Sequence, residues 1–109
     1  MLRIMYIIVF VTVSDRETGK KIAQVLLERR LCACVNIVKG IESFFWWQDK
    51  INREIEDLLV IKTREVLFDK LRAAVIENHS YDTPEIISVP IQQISQKYAD
   101  WLDSQTMHE

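Results

Sequence analysis

A chain of 109 residues, 49% of them apolar, is long enough for one domain with a real core and too short for two. Fourteen basic residues stand against 16 acidic ones, for a formal net charge of -2. No run of either sign could form a polyanion-binding arm, so nucleic acid is not an expected partner. With two cysteines and no sign of export, the chain reads as cytoplasmic with reduced thiols.

Arg3 to Val13 is a near-continuous apolar run. It is too short to span a membrane, rich in β-branched residues and without a small-residue cleavage pattern, so neither a span nor a signal peptide is expected. The composition predicts a central strand covered on both faces. Ser14 with Glu17 makes a capping-box pattern that opens a helix over about 15–30, in which Ile22, Ala23, Leu26 and Leu27 should turn inward and Gly19 is a small local cost. Residues 31–47 return to strand composition, with a bulge or bend expected at Gly40 and a turn at Gln48-Asp49-Lys50. The return strand over 51–63 is polar in its first half, which should project from the body, and apolar through Leu58, Leu59, Val60 and Ile61.

Thr63 is the expected N-cap of a second helix with Leu67, Leu71, Ala74 and Val75 as its buried stripe, ended by His79 and Ser80. Pro84 precedes a short strand, Glu85 to Val89, and Pro90 limits its role as a central ladder element. A last amphipathic helix from about Ser95 carries Tyr98, Trp101 and Leu102 on one side.

The order βαββαβ plus a terminal helix predicts a single α+β domain over 1–109. It is ferredoxin-like, with a four-stranded antiparallel sheet and both main helices on one face. At roughly 3.3 Å per residue, Cys32 to Trp47 would extend about 50 Å. A compact chain of this length is only about 35 Å across. The long hairpin must therefore overhang or bend. Its tip carries Phe44, Phe45, Trp46 and Trp47, a patch expected either to meet another protein surface or to fold back on its own core.

Leu31-Cys32-Ala33-Cys34-Val35-Asn36-Ile37-Val38, Gly40-Ile41-Glu42-Ser43 and the Trp46-Trp47 tip resemble the CutA divalent-cation tolerance proteins. Ile61-Lys62-Thr63, His79-Ser80-Tyr81-Asp82-Thr83-Pro84-Glu85 and Tyr98-Ala99-Asp100-Trp101-Leu102 extend that resemblance over nearly the whole chain. It implies a ferredoxin-like subunit in a tight homotrimer, with hairpins interlocking between subunits and an architecture similar to the PII signalling proteins. It also implies a non-enzymatic role in tolerance of, or response to, divalent metal ions, copper among them. The rival reading is a PII-like regulatory module that binds a small effector at subunit clefts and docks on a partner through the hairpins. The chain departs from the family pattern at Cys32 (usually alanine), Lys39 (often proline), Asp49 (often glycine) and Ser80 (often proline). Val11 stands where some members have a cysteine proposed as a copper ligand, and Asn78 where a second histidine is proposed.

Catalysis finds no support. Gly19 and Gly40 are the only glycines and neither lies in a phosphate-loop context. The histidines, His79 and His108, have no serine in a nucleophile-elbow context. An acylphosphatase reading lacks a phosphate-cradling loop with its arginine. Cys32 and Cys34, two apart on an expected strand, should share a face at about the limit for an unstrained disulfide. They read as buried, inert thiols or, with His79, as soft-metal candidates for copper or another divalent cation. Lys62, Glu56, Tyr81, Asp82 and Glu85 form the most suggestive polar set. A subunit cleft would have to bring them together, as a small-ligand site or as an intersubunit salt-bridge network.

Overall fold

In the computed structural model, which describes residues 4–108, the amino-terminal apolar run forms β1 (Tyr6–Val13). Arg3, at the head of the expected strand, lies outside the described residues. Ile7, Val9, Val11 and Val13 are buried while Tyr6, Ile8 and Phe10 are half-buried, the period-2 alternation of a pleated strand. β1 pairs antiparallel with β3 (Lys50–Arg64) on one side and with β4 (Ile86–Pro90) on the other. β2 (Cys34–Trp47) adds to the far side of β3, giving the ferredoxin-like order β2-β3-β1-β4. β4 is thus an edge strand, which is why Pro90 can pair with Ile7 without leaving a central ladder broken.

Helices α1 (Arg16–Glu28) and α2 (Phe68–Asn78) cover one face of the sheet. Ile22, Leu26, Leu71 and Val75 pack there against Val9, Val11, Leu59 and Ile61. The expected stripe on α2 is buried as read, with Leu67 in a short 3₁₀ turn (Glu65–Leu67) just ahead of it. On α1 the stripe is Gly19, Ile22 and Leu26, and Leu27, expected inward, is 41% exposed. The reason is angular: Leu27 lies about 100° around the helix from Leu26. Gly19 belongs to the buried stripe because a Cβ there would stand 3.2 Å from Val13 Cγ2 and 3.4 Å from Leu59 Cδ2. Its helix-propensity cost is offset by the close approach of α1 to the sheet.

Two expected caps move. Asp15 rather than Ser14 caps the start of α1, its carboxylate accepting from the Thr18 amide at 3.1 Å and the Thr18 hydroxyl at 2.7 Å. Those bonds hold the Asp15 carboxyl below the usual carboxylate range. Thr63 stays in β3, fully buried, and its hydroxyl donates to the Leu31 carbonyl at 2.7 Å, so it anchors the segment before β2 instead of capping α2.

The hairpin turns on Gln48 and Asp49, both left-handed at φ 50° and 61°, so Lys50 opens β3 and is not part of the turn. Gly40, at φ 66°, sits in the expected bulge: pairing passes from Val38↔Leu58 to Ile41↔Glu56. The molecule measures 48 × 26 × 22 Å, so the hairpin does overhang its own domain.

The face opposite α1 and α2 is open except at one end, where α3 (Gln96–Gln105) crosses it. There the Tyr6 hydroxyl donates to Asp103 at 2.8 Å, and the Arg64 guanidinium donates to the Thr106 hydroxyl at 3.0 Å and to the Met107 carbonyl. Burial, then the Asp103 bond, pushes the Tyr6 phenol up to about 12. Ala99 and Leu102 face inward, whereas Tyr98 and Trp101, read as sharing the buried side, flank it with their rings tilted against each other at 5.3 Å.

Candidate functional site

Glu56 lies on β3 at the root of the overhanging hairpin, on the face away from α1 and α2. Its side chain is nonetheless buried, at 7% exposure, and a buried carboxylate is costly unless something gives it a hydrogen bond. The loop between α2 and β4 does so: the Tyr81 hydroxyl donates to Glu56 Oε2 at 2.6 Å, within one chain and without help from a second subunit. Burial, then the bond to and charge of Glu56, pushes the Tyr81 phenol well above its ordinary range.

His79 holds that loop in place. Its Nε2 donates to the Thr12 carbonyl at 2.8 Å, and its Nδ1 accepts the Tyr81 amide at 3.0 Å, an assignment that follows because the two partners are an obligate acceptor and an obligate donor. The two rings pack at 4.6 Å. Tyr81→Phe is expected to cost about 1–2 kcal/mol in chemical denaturation, because Glu56 loses a charge-assisted donor. Glu56→Gln, which keeps an acceptor oxygen, is expected to cost less. Equal losses for both would mean the hydroxyl does not hold the loop.

The rest of the expected polar set does not converge in one chain. Lys62 is six positions along β3 from Glu56, about 20 Å away. Its ammonium donates to Asn36 across the β2–β3 ladder. Asp82 and Glu85 are exposed in the loop before β4.

Cys32 and Cys34 also part company. Cys32 lies before β2 begins and is buried in the helix-covered core, where burial pushes its thiol up to about 12. Cys34 opens β2 opposite Lys62, half-buried beside Asn36, on the sheet's other face. The shared face expected from their spacing is lost because residues 31–33 are not yet strand. Both cysteines are free.

The residues do not fit the copper site that the resemblance implies. Both ring nitrogens of His79 are engaged, Val11 is a fully buried hydrocarbon, and the Asn78 amide donates to the Ala74 carbonyl at 2.8 Å. Among the described residues no three His, Cys, Asp or Glu side chains converge as a metal-binding group.

Sequence reasoning missed Asp57. It points to the helix side of β3, accepting from Arg16 Nε at 2.6 Å and from the Gly40 amide at 3.0 Å. A signal was available: β3's odd positions Leu59, Ile61 and Thr63 are core positions, and Asp57 continues that series.

Comparison with known proteins supplies the rest. The family model of the CutA1 divalent ion tolerance protein matches residues 7–105. The rice (Oryza sativa) protein "Protein CutA 1, chloroplastic" is 49% identical over 100 residues, covering 92% of this chain. The chain spans 56% of that relative's length, about half. The Thermus thermophilus divalent-cation tolerance protein CutA is 41% identical over 99 residues, covering 91% of this chain and 96% of its own. In solved structures, rice CutA1 superposes with a TM-score of 0.94 at 46% identity, covering 97% of each chain. A structure titled as the periplasmic divalent cation tolerance protein CutA from Archaeoglobus fulgidus gives 0.90 at 40% identity, covering 93% of this chain and 98% of the other.

Proposed function

This chain belongs to the CutA1 divalent ion tolerance family, and from that premise we propose that it acts as a non-enzymatic homotrimer in metal-ion tolerance, copper being the expected cation. Family membership over residues 7–105 is the observation that carries the reading. The surface supports the assembly: on the open sheet face Ile87 and Val89 are exposed and Ile8, Phe10 and Val60 are only half-buried in the single chain. It continues into a hairpin tip of exposed aromatics. Apolar patches of this extent mark association surfaces.

Two free cysteines suit a reducing compartment, and the cytoplasm is the one proposed. No helix among the described residues is long and apolar enough to cross a membrane.

Since the described residues of one chain do not build a copper site, tolerance is proposed to work without a tight site at His79. Anaerobic Cu(I) titration checks this. The parent is expected to bind weakly, Cys34→Ser to lose most of that binding, and His79→Ala to keep it, because Cys34 is the accessible soft ligand and His79 is occupied. Fast, tight, stoichiometric binding abolished by His79→Ala would sink the proposal. A thermal-shift screen with divalent cations and with nucleotides separates it from the PII-like alternative, for which a small effector should give the larger shift.

A further inference from the structure

A hairpin that overhangs its domain needs something to fix the direction in which it leaves. The bulge at Gly40 is where β2 bends, and two residues, Lys39 and Gly40, stand there against the single Asp57 of β3. A bulge leaves backbone groups without ladder partners, and a glycine at φ 66° has no side chain to hold it. Nothing lies within 4 Å of where a Gly40 Cβ would be, so packing does not fix the bend either.

Asp57 supplies what the bulge lacks. One carboxylate oxygen takes the Gly40 amide at 3.0 Å and the other takes Arg16 Nε at 2.6 Å, so three elements meet at one side chain: the bulge of β2, the start of α1 and β3 itself. The carboxylate is 9% exposed, its guanidinium partner 36%. The β1 residue opposite, Val13, is apolar, and Lys39 is the other cation that acts on Asp57. Glu56, the neighbouring carboxylate, faces the other side of the sheet and is occupied by Tyr81.

We propose that Arg16, Asp57 and the Gly40 amide form a clamp that fixes the angle of the hairpin arm, and so sets where its aromatic tip meets a second copy of this chain. The second clause rests on the proposed assembly; the first does not. Asp57 is a positioning residue. The Arg16 and Gly40 bonds hold its carboxyl below the usual carboxylate range. Such a group contributes stability that is present above its unfolded pKa and lost as pH falls through the lower folded one. The clamp is therefore closed at neutral pH and opens as the pH falls below the ordinary carboxylate range.

The chain's two glycines make the test direct, because a ¹⁵N-glycine spectrum of the whole protein holds two amide peaks, assigned by Gly19→Ala. In Asp57→Ala the Gly40 amide is expected to exchange about tenfold faster or more, while Asp57→Asn, which keeps an acceptor oxygen, retains most of the protection. On acidification the parent's Gly40 peak is expected to titrate with a midpoint below the ordinary carboxylate range, and Arg16→Gln to raise that midpoint. Light scattering on the same samples reads the second clause: Asp57→Ala is expected to weaken the trimer and Asp57→Asn to keep it. An unchanged Gly40 exchange rate in Asp57→Ala overturns the clamp. A freed Gly40 amide with an unweakened trimer overturns its role in assembly, and a monomeric parent overturns the proposed assembly while leaving the amide test readable.

Discussion

Trp46→Ala or Trp47→Ala is expected to lower the melting temperature and shift the protein from the proposed trimer toward smaller species, at a cost of about 3–5 kcal/mol for the residue that the proposed assembly covers. In the single chain these side chains are 73% and 60% exposed, and Phe44 beside them is 64% exposed. A tryptophan or phenylalanine carries on the order of 150–250 Å² that can be buried, so the exposed tip reaches the few hundred Å² at which apolar patches mark interaction sites. Neighbours on a strand face opposite sides, so the two variants report on the two faces of the arm separately. At least one should show the full loss. Sedimentation or light scattering, with melting followed at several protein concentrations, checks this, since dissociation and unfolding should be coupled in an obligate assembly. Variants that both melt within about a degree of the parent and keep its mass would mean that the tip stays in water, and the assembly argument would fail.

Leu59→Ala is the second large effect, about 2–5 kcal/mol in denaturant unfolding with an unchanged slope. Leu59 is fully buried on β3, paired with Val11 and Ile37, and it lies under α1 at the point where Gly19 lets the helix come close. The site cannot collapse easily, because the sheet holds it from below and the helix backbone from above. Leu27→Ala is the matched control. Its side chain is 41% exposed, so its loss should be a few tenths of a kcal/mol. Comparable losses for the two would show that the buried stripe of α1 is Leu27's and not that of Ile22 and Leu26.

The contrast between those two leucines marks what was legible in the sequence. Local periodicity sets the type and order of the elements. β-branched alternation in β1, the i, i+3, i+4 stripes of α1 and α2, and the glycine at the bulge are all properties of short windows, so the strand and helix order and the fold class were readable from the residues alone. The overlong hairpin followed from simple length. Even Leu27 was close, misplaced by one position around a helix.

What the tertiary structure decided are the contacts between residues far apart in sequence. Glu56 and Tyr81 were named as members of one polar set, yet no local pattern could say that they meet within a single chain while Lys62 lies about 20 Å off along the same strand. Cys32 and Cys34 look like strand neighbours, but regular pairing begins only at Cys34, and a strand that begins one or two residues late changes which face each side chain takes. The alternation of β3 marks Asp57 as a core-facing position, but no local pattern names its partners. Its role depends on the bulge placing the Gly40 amide opposite it and on α1 placing Arg16 above it. Those positions are set by the register between β2 and β3 and by the packing of α1 on the sheet, and neither is written in the residues beside Asp57.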